Sequence, residues 1–323
     1  MTDIFKLTTR PKKELFFRKY DASDIRLGEI VSTKPEDYAA SDLVILACPQ
    51  DEGVRRNGGR TGAALAPDAI RAQFYKFTNF KVNVKIFDIG DTIIQETLEN
   101  THEIHTQIVE QILKDNKTII VLGGGNDVSY ADGRAMAKVF GAEKWLGFNI
   151  DAHFDVRVDS PRNSGTPYHQ LLEENLIKPQ NFFETAYQPQ VNSPIYFNYL
   201  KTKGVNLFSL EEMRKVPDYN YGKMANNFQA MLIFPEHLEK MNFFFGFDVD
   251  AARAADAPGV SAPSPIGLTA EEFVEIAEFA GENEQTRMIE FTEMNPLFDI
   301  DNRTAKLVAL ALHRFCAARK QKS

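Results

Sequence analysis

The chain has 323 residues, 43% of them hydrophobic and 25% charged, and its formal net charge of -8 argues against nucleic-acid and anionic-membrane partners, which usually need basic surfaces. Its two cysteines, Cys48 and Cys316, are too few and too far apart for a disulfide framework or a cysteine zinc cluster. No signal-peptide core opens the sequence and no apolar run reaches the roughly 18 residues of a membrane span, so we expect a soluble cytoplasmic protein.

Eight short runs rich in β-branched and aromatic residues predict strands. In chain order they begin at Leu43, Val84, Thr118, Trp145, Asn181, Val205, Asn242 and Arg287. Helical periodicity marks 96–114, 131–140, 269–280 and 302–320 between and after these runs, with a capping box from Thr269 to Glu272. Apolar strands that alternate with helices predict a three-layer α-β-α fold with a mostly parallel sheet of about eight strands. Without a linker or an internal repeat, residues 1–323 are expected to form one α/β domain.

Polar side chains follow four of the predicted strands, where ligands bind in a sheet of this kind. In chain order they are Asn126 and Asp127, then Asp151, His153 and Asp155, then Asp248 and Asp250, then Glu290, Glu293 and Asn295. We expect the four groups to meet at one edge of the sheet and to form the functional site.

The first group belongs to the stretch "GGGNDVSY", which begins at Gly123. Three glycines allow close approach of the backbone to a ligand, which is compatible with a metal or a phosphate. A phosphate loop is disfavoured because the stretch has neither the P-loop lysine nor G-x-G-x-x-G spacing. Asp127 is expected to be the N-cap of the following helix.

The segments "DAHFD" and "DVD" place carboxylates and an imidazole at every second position after apolar strands. Alternate side chains of an extended chain share one face, so these groups can converge on one point. Buried unpaired charges are costly, and divalent cations would compensate them. The donors fit Mn2+ best and Zn2+ or Fe2+ less well, and they are numerous enough for two ions roughly 3.5 to 4 Å apart.

At these residues the chain resembles the ureohydrolase family of arginases, agmatinases and formimidoylglutamases. The segments "GGGN", "DAHFD" and "DVD" match the family's metal motifs, and "SGTPYHQLL", "EMNP" and "RTAKLVALAL" are similar to others, in the family's order. Within the family, "RNGGR" and "APGVSAP" look most like formimidoylglutamases. The resemblance implies an arginase-like fold, two Mn2+ ions and hydrolysis of N-formimidoyl-L-glutamate to L-glutamate and formamide in histidine degradation.

The resemblance also implies the roles of individual residues. One ion would be held by Asp151, Asp155 and Asp248, with Asn126 in place of a histidine. The second ion would be held by Asp151, His153, Asp248 and Asp250. Glu293 would bind the cationic amidine, and Asp155 would also transfer a proton to the leaving amine.

Two departures from the family pattern keep alternatives open. Asn126 replaces a ligand histidine, and Ser164 stands where arginases and agmatinases carry the histidine of H-G-x-P. The alternatives are another ureohydrolase, namely an agmatinase, arginase or guanidino-acid hydrolase, and a non-catalytic member with a weakened metal site. The sequence leaves the oligomeric state open, a homo-oligomer included.

A substrate with two carboxylates requires cationic donors, and arginine binds carboxylates well. The candidates are Arg55, Arg56, Arg60, Arg157, Arg162 and Arg253, of which at least half are expected only to pair with acidic side chains. The preferred pocket residues are Arg60, Arg253, Asn163, Ser164 and Thr166. His102, His105, His237 and His313 are assigned to helices with surface or core roles. For His169, a position at the pocket rim with a share in proton transfer is kept only as an alternative.

Overall fold

The computed structural model describes residues 3–215, 224 and 238–320. Its strands are β1 (Thr8–Thr9), β2 (Leu43–Ala47), β3 (Ile86–Thr92), β4 (Thr118–Leu122), β5 (Trp145–Ile150), β6 (Phe182–Tyr187), β7 (Asn206–Ser209), β8 (Asn242–Asp248) and β9 (Thr286–Thr292). They form one sheet in the order β1-β3-β2-β4-β9-β8-β5-β6-β7. Every neighbouring pair is parallel except β1 with β3. The predicted, mostly parallel sheet is confirmed; the ninth strand, β1, has only two residues, too few to give a sequence pattern.

The helices of the described residues alternate with the strands. They are α1 (Leu27–Ile30), α2 (Glu52–Arg56), α3 (Ala66–Phe74), α4 (Leu98–Lys114), α5 (Val128–Phe140), α6 (Pro167–Glu173), α7 (Pro194–Lys203), α8 (Leu210–Arg214), α9 (Ala270–Glu282) and α10 (Arg303–Ala318). All four predicted helices are present, as α4, α5, α9 and α10. The capping box before α9 is confirmed, because Thr269 and Glu272 each accept a hydrogen bond from the other's backbone N-H.

Two apolar cores lie on opposite faces of the sheet, which gives the three predicted layers. In β2, Leu43 and Ile45 belong to one core, while Val44 and Leu46 belong to the other. Helices α3, α9 and α10 contribute to the first core, and α4, α5, α6 and α7 to the second. The central strands are apolar along their whole length because side chains on both faces are covered.

Strands β4, β9, β8 and β5 are neighbours in the middle of the sheet. Because all four are parallel, their carboxyl ends lie at the same edge, where the segments that follow them meet. Within the described part of the chain, every helix is too short or too polar to cross a bilayer. His237 lies outside the described residues.

Candidate active site and metal centre

The four predicted groups of polar residues meet at the carboxyl edge of the sheet. Asp248 ends β8, Asp151 directly follows β5, and Glu293 directly follows β9. Asn126 lies four residues beyond the end of β4 and two residues before α5 begins. The order of the central strands therefore brings together side chains that are up to 167 residues apart in sequence, as in the contact between Asn126 and Glu293.

Two groups of three side chains are close enough to hold a metal ion each. Asp151, His153 and Asp250 form one group, and Asp151, Asp155 and Asp248 form the other. In each group the candidate ligand atoms lie within 4.8 Å of one another. Asp151 belongs to both groups, so its carboxylate is positioned to bridge two ions, as metal pairs in hydrolases require.

The site concentrates negative charge that the described residues leave largely uncompensated. Burial, and then the Asp250 carboxylate, raises the pKa of Asp151 to about 6. Burial also raises the pKa values of Asp155 and Asp248 well above the usual range, with further contributions from neighbouring carboxylates. One oxygen of Asp250, Oδ1, is buried without a hydrogen-bond partner in the described part of the chain. These residues fit a pair of hard divalent cations, which would bind Asp250 Oδ1 and offset the repulsion between the neighbouring carboxylates.

The imidazole of His153 lies between the carboxylates of Asp151 and Asp250. Its Nδ1 lies 3.2 Å from Asp250 Oδ2 and 3.4 Å from Asp151 Oδ1. The attraction of Asp250, opposed by burial and reinforced by the hydrogen bonds, raises the pKa of His153 to about 12. Without a metal the ring is therefore protonated and acts as the local counter-ion, and it must lose that proton to become a ligand.

Asn126 contacts the site with its amide nitrogen facing the carboxylates. The nitrogen Nδ2 donates to Asp155 Oδ2 at 2.7 Å, while Oδ1 accepts from Ser129 Oγ at 2.8 Å and from Thr292 Oγ1 at 3.0 Å. The sequence resemblance implies coordination through the amide oxygen. This would require the amide to flip, so that Oδ1 instead of Nδ2 faces Asp155. Asn126 is thus correctly located beside Asp155, and its role as a ligand remains a prediction.

The glycines before Asn126 serve close packing. A Cβ on Gly124 would lie 1.6 Å from the carbonyl oxygen of Gln50, which only glycine avoids. The N-H groups of Gly123 and Gly125 donate to the carbonyls of Phe291 and Gln50, and that of Asn126 donates to Glu293. These donors are occupied by protein acceptors, so the structure gives no support to the phosphate alternative.

Asp127 is the N-cap residue of α5, as predicted, but its side chain does not cap the helix. Asp127 does precede α5, but its backbone is already helical, with φ -59° and ψ -20°, and its side chain makes no capping hydrogen bond. Its Oδ2 instead accepts from Gln50 Nε2 at 2.6 Å and lies 2.8 Å from His102 Nε2. His105 is likewise buried and lies 2.7 Å from the Thr92 hydroxyl, which confirms core roles for both histidines.

Two site residues have a left-handed backbone. Asp155 has φ +47° and Glu293 has φ +63°, values that residues other than glycine, asparagine and aspartate rarely adopt, so the strain lies at Glu293. Glu293 is held by hydrogen bonds from the Asn126 backbone N-H at 2.8 Å and from the Ser261 hydroxyl. Burial raises the pKa of Glu293 to about 8. A residue held this firmly in a strained conformation is suited to present its carboxylate in one direction.

A cleft of about 210 Å³ opens over these groups. Its lining comprises His153, Asp155, Asp248, Asp250 and Glu293, together with Val54, Asn57, Gly58, Gly59, Arg157, Ser164, Ser261 and Ala262. A larger surface cavity of about 420 Å³, lined by Tyr187, Leu210 and Ile266 among others, contains none of the predicted metal ligands. The chemistry therefore identifies the smaller cleft as the active site.

The two preferred arginines do not line the cleft. Arg60 donates from Nε to the Ser261 carbonyl at 3.0 Å and lies over the Phe298 ring at 4.2 Å. It fixes the loop that carries Ser261, so its contribution is to positioning. Arg253 pairs with Asp256 at 2.7 Å. Both guanidinium groups are engaged with protein acceptors, and a role of either in substrate binding stays a prediction.

Of the three neutral pocket residues, only Ser164 lines the cleft, where its hydroxyl accepts from Asn57 Nδ2 at 3.1 Å. Asn163 and Thr166 are buried within their own loop: the Thr166 hydroxyl donates to the Asn163 carbonyl at 2.9 Å. They shape the loop and do not face the cleft. His169 is not a lining residue, and its ring lies beside that of Tyr199 with the centroids 5.5 Å apart, so a part in proton transfer stays a prediction.

Three lining residues with polar side chains were not among the preferred site residues: Asn57, Arg157 and Ser261. Arg157 was among the six candidate arginines, and its position two residues after Asp155 was the available signal. As expected, at least half of the six pair with acids: Arg55 and Arg56 with Glu52, and Arg253 with Asp256. Arg157 has no such pair among the described residues.

The arrangement of strands and ligands agrees with a known family. The sequence model that describes the arginase family matches residues 41–317, which is most of the chain. The chain belongs to the arginase family. Among its family relatives, a formimidoylglutamase of Staphylococcus aureus (strain bovine RF122 / ET3-1) is 32% identical over 308 residues, or 95% of this chain and 94% of that protein. A formimidoylglutamase of Staphylococcus carnosus (strain TM300) is 31% identical over 300 residues, or 90% of each chain.

Solved structures of the family have the same fold. The Trypanosoma cruzi formiminoglutamase with Mn2+2 matches with a TM-score of 0.82 and 33% identity, over 92% of this chain and 100% of that one. Formimidoylglutamase from Bacillus subtilis subsp. subtilis str. 168 matches with a TM-score of 0.80, over 95% and 97% of the two chains. At 23% identity this second likeness concerns the fold alone.

Proposed function

We propose that this arginase-family protein is a dinuclear manganese hydrolase that converts N-formimidoyl-L-glutamate and water into L-glutamate and formamide. The observation that carries the proposal is the pair of ligand groups that share Asp151 beneath one cleft. The similarity over nearly the whole chain to formimidoylglutamases, one solved with Mn2+2, supports both the metal and the substrate. The proposal includes a single catalytic domain over 1–323 and a cytoplasmic location, with a role in histidine degradation.

The proposed ligands are Asn126, Asp151, His153, Asp155, Asp248 and Asp250. A bound pair of divalent ions supplies Lewis acidity and lowers the pKa of water, so that a strong nucleophile is available near neutral pH. The protein's contribution is to hold the ligands at fixed distances and to exclude competing water, since Asp151, Asp248 and Asp250 are almost completely buried.

In this proposal Asp155 transfers the proton and Glu293 binds the amidine. Asp155 Oδ2 accepts a hydrogen bond from Asn126, and in the proposed role the Asp155 carboxylate receives the proton of the attacking water. It then delivers that proton to the nitrogen of the glutamate portion as the bond from this nitrogen to the formimidoyl carbon breaks. Glu293, fixed by Asn126 and Ser261, accepts hydrogen bonds from the cationic amidine and holds it over the ligands.

The test is to measure products from purified protein loaded with Mn2+. We expect formamide and glutamate in equal amounts from N-formimidoyl-L-glutamate, and no release from metal-stripped protein. Urea from arginine or agmatine without formamide would instead favour another ureohydrolase. Two bound ions without turnover of any amidine would favour a non-catalytic family member.

A matched pair of variants distinguishes the role of Asp155 from an effect of charge. Asp155→Asn should lower kcat by about 10²- to 10⁴-fold, the usual contribution of a proton-transfer group. Asp301→Asn makes the same chemical change at an exposed residue that also has a positive φ of 53°, and it should leave kcat unchanged. Equal activity of the two variants would contradict the assignment.

A further inference from the structure

We propose that Ser129 and Thr292 are positioning residues that turn the amide oxygen of Asn126 toward a bound metal ion. The inference rests on the proposed function, because it concerns how one of the proposed ligands is held. Ser129 lies in the first turn of α5 and Thr292 ends β9, and both hydroxyls contact the Asn126 amide. All three side chains are almost completely buried, so their polar atoms depend on one another for hydrogen bonds.

The two ends of the Asn126 amide face different neighbours. The outer end lies 2.7 Å from Asp155 Oδ2, and the inner end lies 2.8 Å from Ser129 Oγ and 3.0 Å from Thr292 Oγ1. The amide oxygen only accepts hydrogen bonds, whereas the amide nitrogen donates two hydrogens. Because the two ends have nearly the same shape, the surrounding donors and acceptors decide which of them faces inward.

Each of the two hydroxyls has a second acceptor within reach. Ser129 Oγ lies 2.7 Å from Glu290 Oε2, and Thr292 Oγ1 lies 3.4 Å from the Phe247 carbonyl oxygen. A hydroxyl has a single hydrogen, and a hydroxyl that donates it to its second acceptor offers only lone pairs to the amide. The two hydrogens of Asn126 Nδ2 match these two hydroxyl oxygens. The inner end therefore suits the nitrogen, and the oxygen becomes the outer end.

Glu290 can accept the hydrogen of Ser129 because it shares a proton with Asp132. Glu290 Oε1 and Asp132 Oδ2 are both buried and lack a hydrogen-bond donor within the described residues. Burial, then the charge of Asp132 and a hydrogen bond to it, raise the pKa of Glu290 well above its usual range. One proton between the two carboxyl groups satisfies both of these oxygens. It leaves Glu290 Oε2 free to accept from Ser129.

The opposite orientation of the amide requires an additional buried proton. With Asn126 Oδ1 inward, Ser129 donates to the amide, and Glu290 must then carry a hydrogen on Oε2 to bond the Ser129 oxygen at 2.7 Å. Asp132 must carry a second proton to bond Glu290. With Oδ1 outward, one proton is enough for the pair. The outer oxygen then faces the acceptor Asp155 Oδ2, and a divalent cation bound by both oxygens removes their repulsion.

The test measures Mn2+ affinity in a chelator competition that resolves the two bound ions. Ser129→Ala and Thr292→Val each remove one acceptor of the inward nitrogen, so each should weaken binding of one ion about 3- to 10-fold. Thr292→Ser keeps the hydroxyl and should restore most of the affinity lost in Thr292→Val. Unchanged affinity in Ser129→Ala or in Thr292→Val, or equal losses in Thr292→Val and Thr292→Ser, would overturn the proposal.

A double-mutant cycle separates positioning of Asn126 from a general structural effect. Because Ser129 acts through Asn126, Ser129→Ala should cause no further loss of Mn2+ affinity in an Asn126→Ala background. Ser41→Ala removes another buried serine hydroxyl, which donates to the Tyr38 carbonyl at 2.8 Å, and it should leave both affinities unchanged. The same loss from Ser129→Ala in both backgrounds, or an equal loss in Ser41→Ala, would contradict the positioning role.

Metal affinity keeps this proposal distinct from the proposed function. If the Mn2+-loaded protein releases no formamide but Ser129→Ala and Thr292→Val bind one ion more weakly, the proposed function is wrong and the positioning role is supported. If formamide is released but both variants bind the two ions as tightly as the unmodified protein, only the positioning role is wrong. If the unmodified protein binds no Mn2+, both are rejected.

Discussion

Mn2+ binding is expected to release protons from the ligands at pH 7.5, one of them from His153. Without metal, the ring lies between the Asp250 and Asp151 carboxylates, which raise its pKa to about 12. Only the neutral ring can bind a metal, so this proton must leave the ring. Because metal and protons compete, Mn2+ affinity should rise at least about tenfold for each unit of pH. Below about pH 6, where Asp151 is also protonated, the dependence should steepen.

Calorimetric titration with Mn2+ measures this release. Titrations in two buffers of equal pH but different ionisation enthalpies give the number of protons released, and a pH series gives the slope of affinity. His153→Asn should lower the release by about one proton, whereas His169→Asn, which changes a histidine outside the cleft, should leave it unchanged. Binding without proton release in the unmodified protein, or identical release from His153→Asn, would refute the assignment of His153 as a ligand.

Three other predictions concern single substitutions. Asn126→His should tighten Mn2+ binding about tenfold in a chelator competition, because imidazole is a better donor than an amide; unchanged affinity would mean that Asn126 does not face the ion. Glu293→Gln should lower kcat/KM for N-formimidoyl-L-glutamate about 10- to 100-fold in steady-state assays, and unaltered kinetics would remove its role in amidine binding. Arg71→Ala leaves the Asp88 carboxylate, 2.8 Å away and fully buried, without its partner. Urea unfolding should show a loss of about 3 to 5 kcal/mol, against less than about 1 kcal/mol for Lys12→Ala, which breaks an exposed ion pair; equal losses would contradict this reasoning.

The sheet could be predicted because each of its longer strands has a recognisable apolar sequence pattern. All eight predicted runs became strands, since residues buried on both faces of a parallel sheet must be apolar along their length. The strand β1 escaped detection because two residues at an antiparallel edge show no periodicity. The order of the strands in the sheet, including the adjacency of β4, β9, β8 and β5, could not be predicted from the sequence, because it depends on the three-dimensional packing.

The metal centre was predictable for a related reason. Asp151, His153 and Asp250 lie at or just after strand ends, so the backbone alone directs them to the same edge of the sheet. Arginines on loops carry no such constraint, because the guanidinium lies far from its Cα and its direction depends on loop folding. The preferred Arg60 and Arg253 do not line the cleft, whereas Arg157, one of the other candidates, does.

The most direct test of the two-metal mechanism measures formamide release and bound metal in the same samples as Mn2+ is titrated into metal-stripped protein. We expect no release of formamide from N-formimidoyl-L-glutamate at zero metal, and an activity that saturates when two Mn2+ ions are bound per chain. Two bound ions without formamide, or full activity at zero metal, would contradict it.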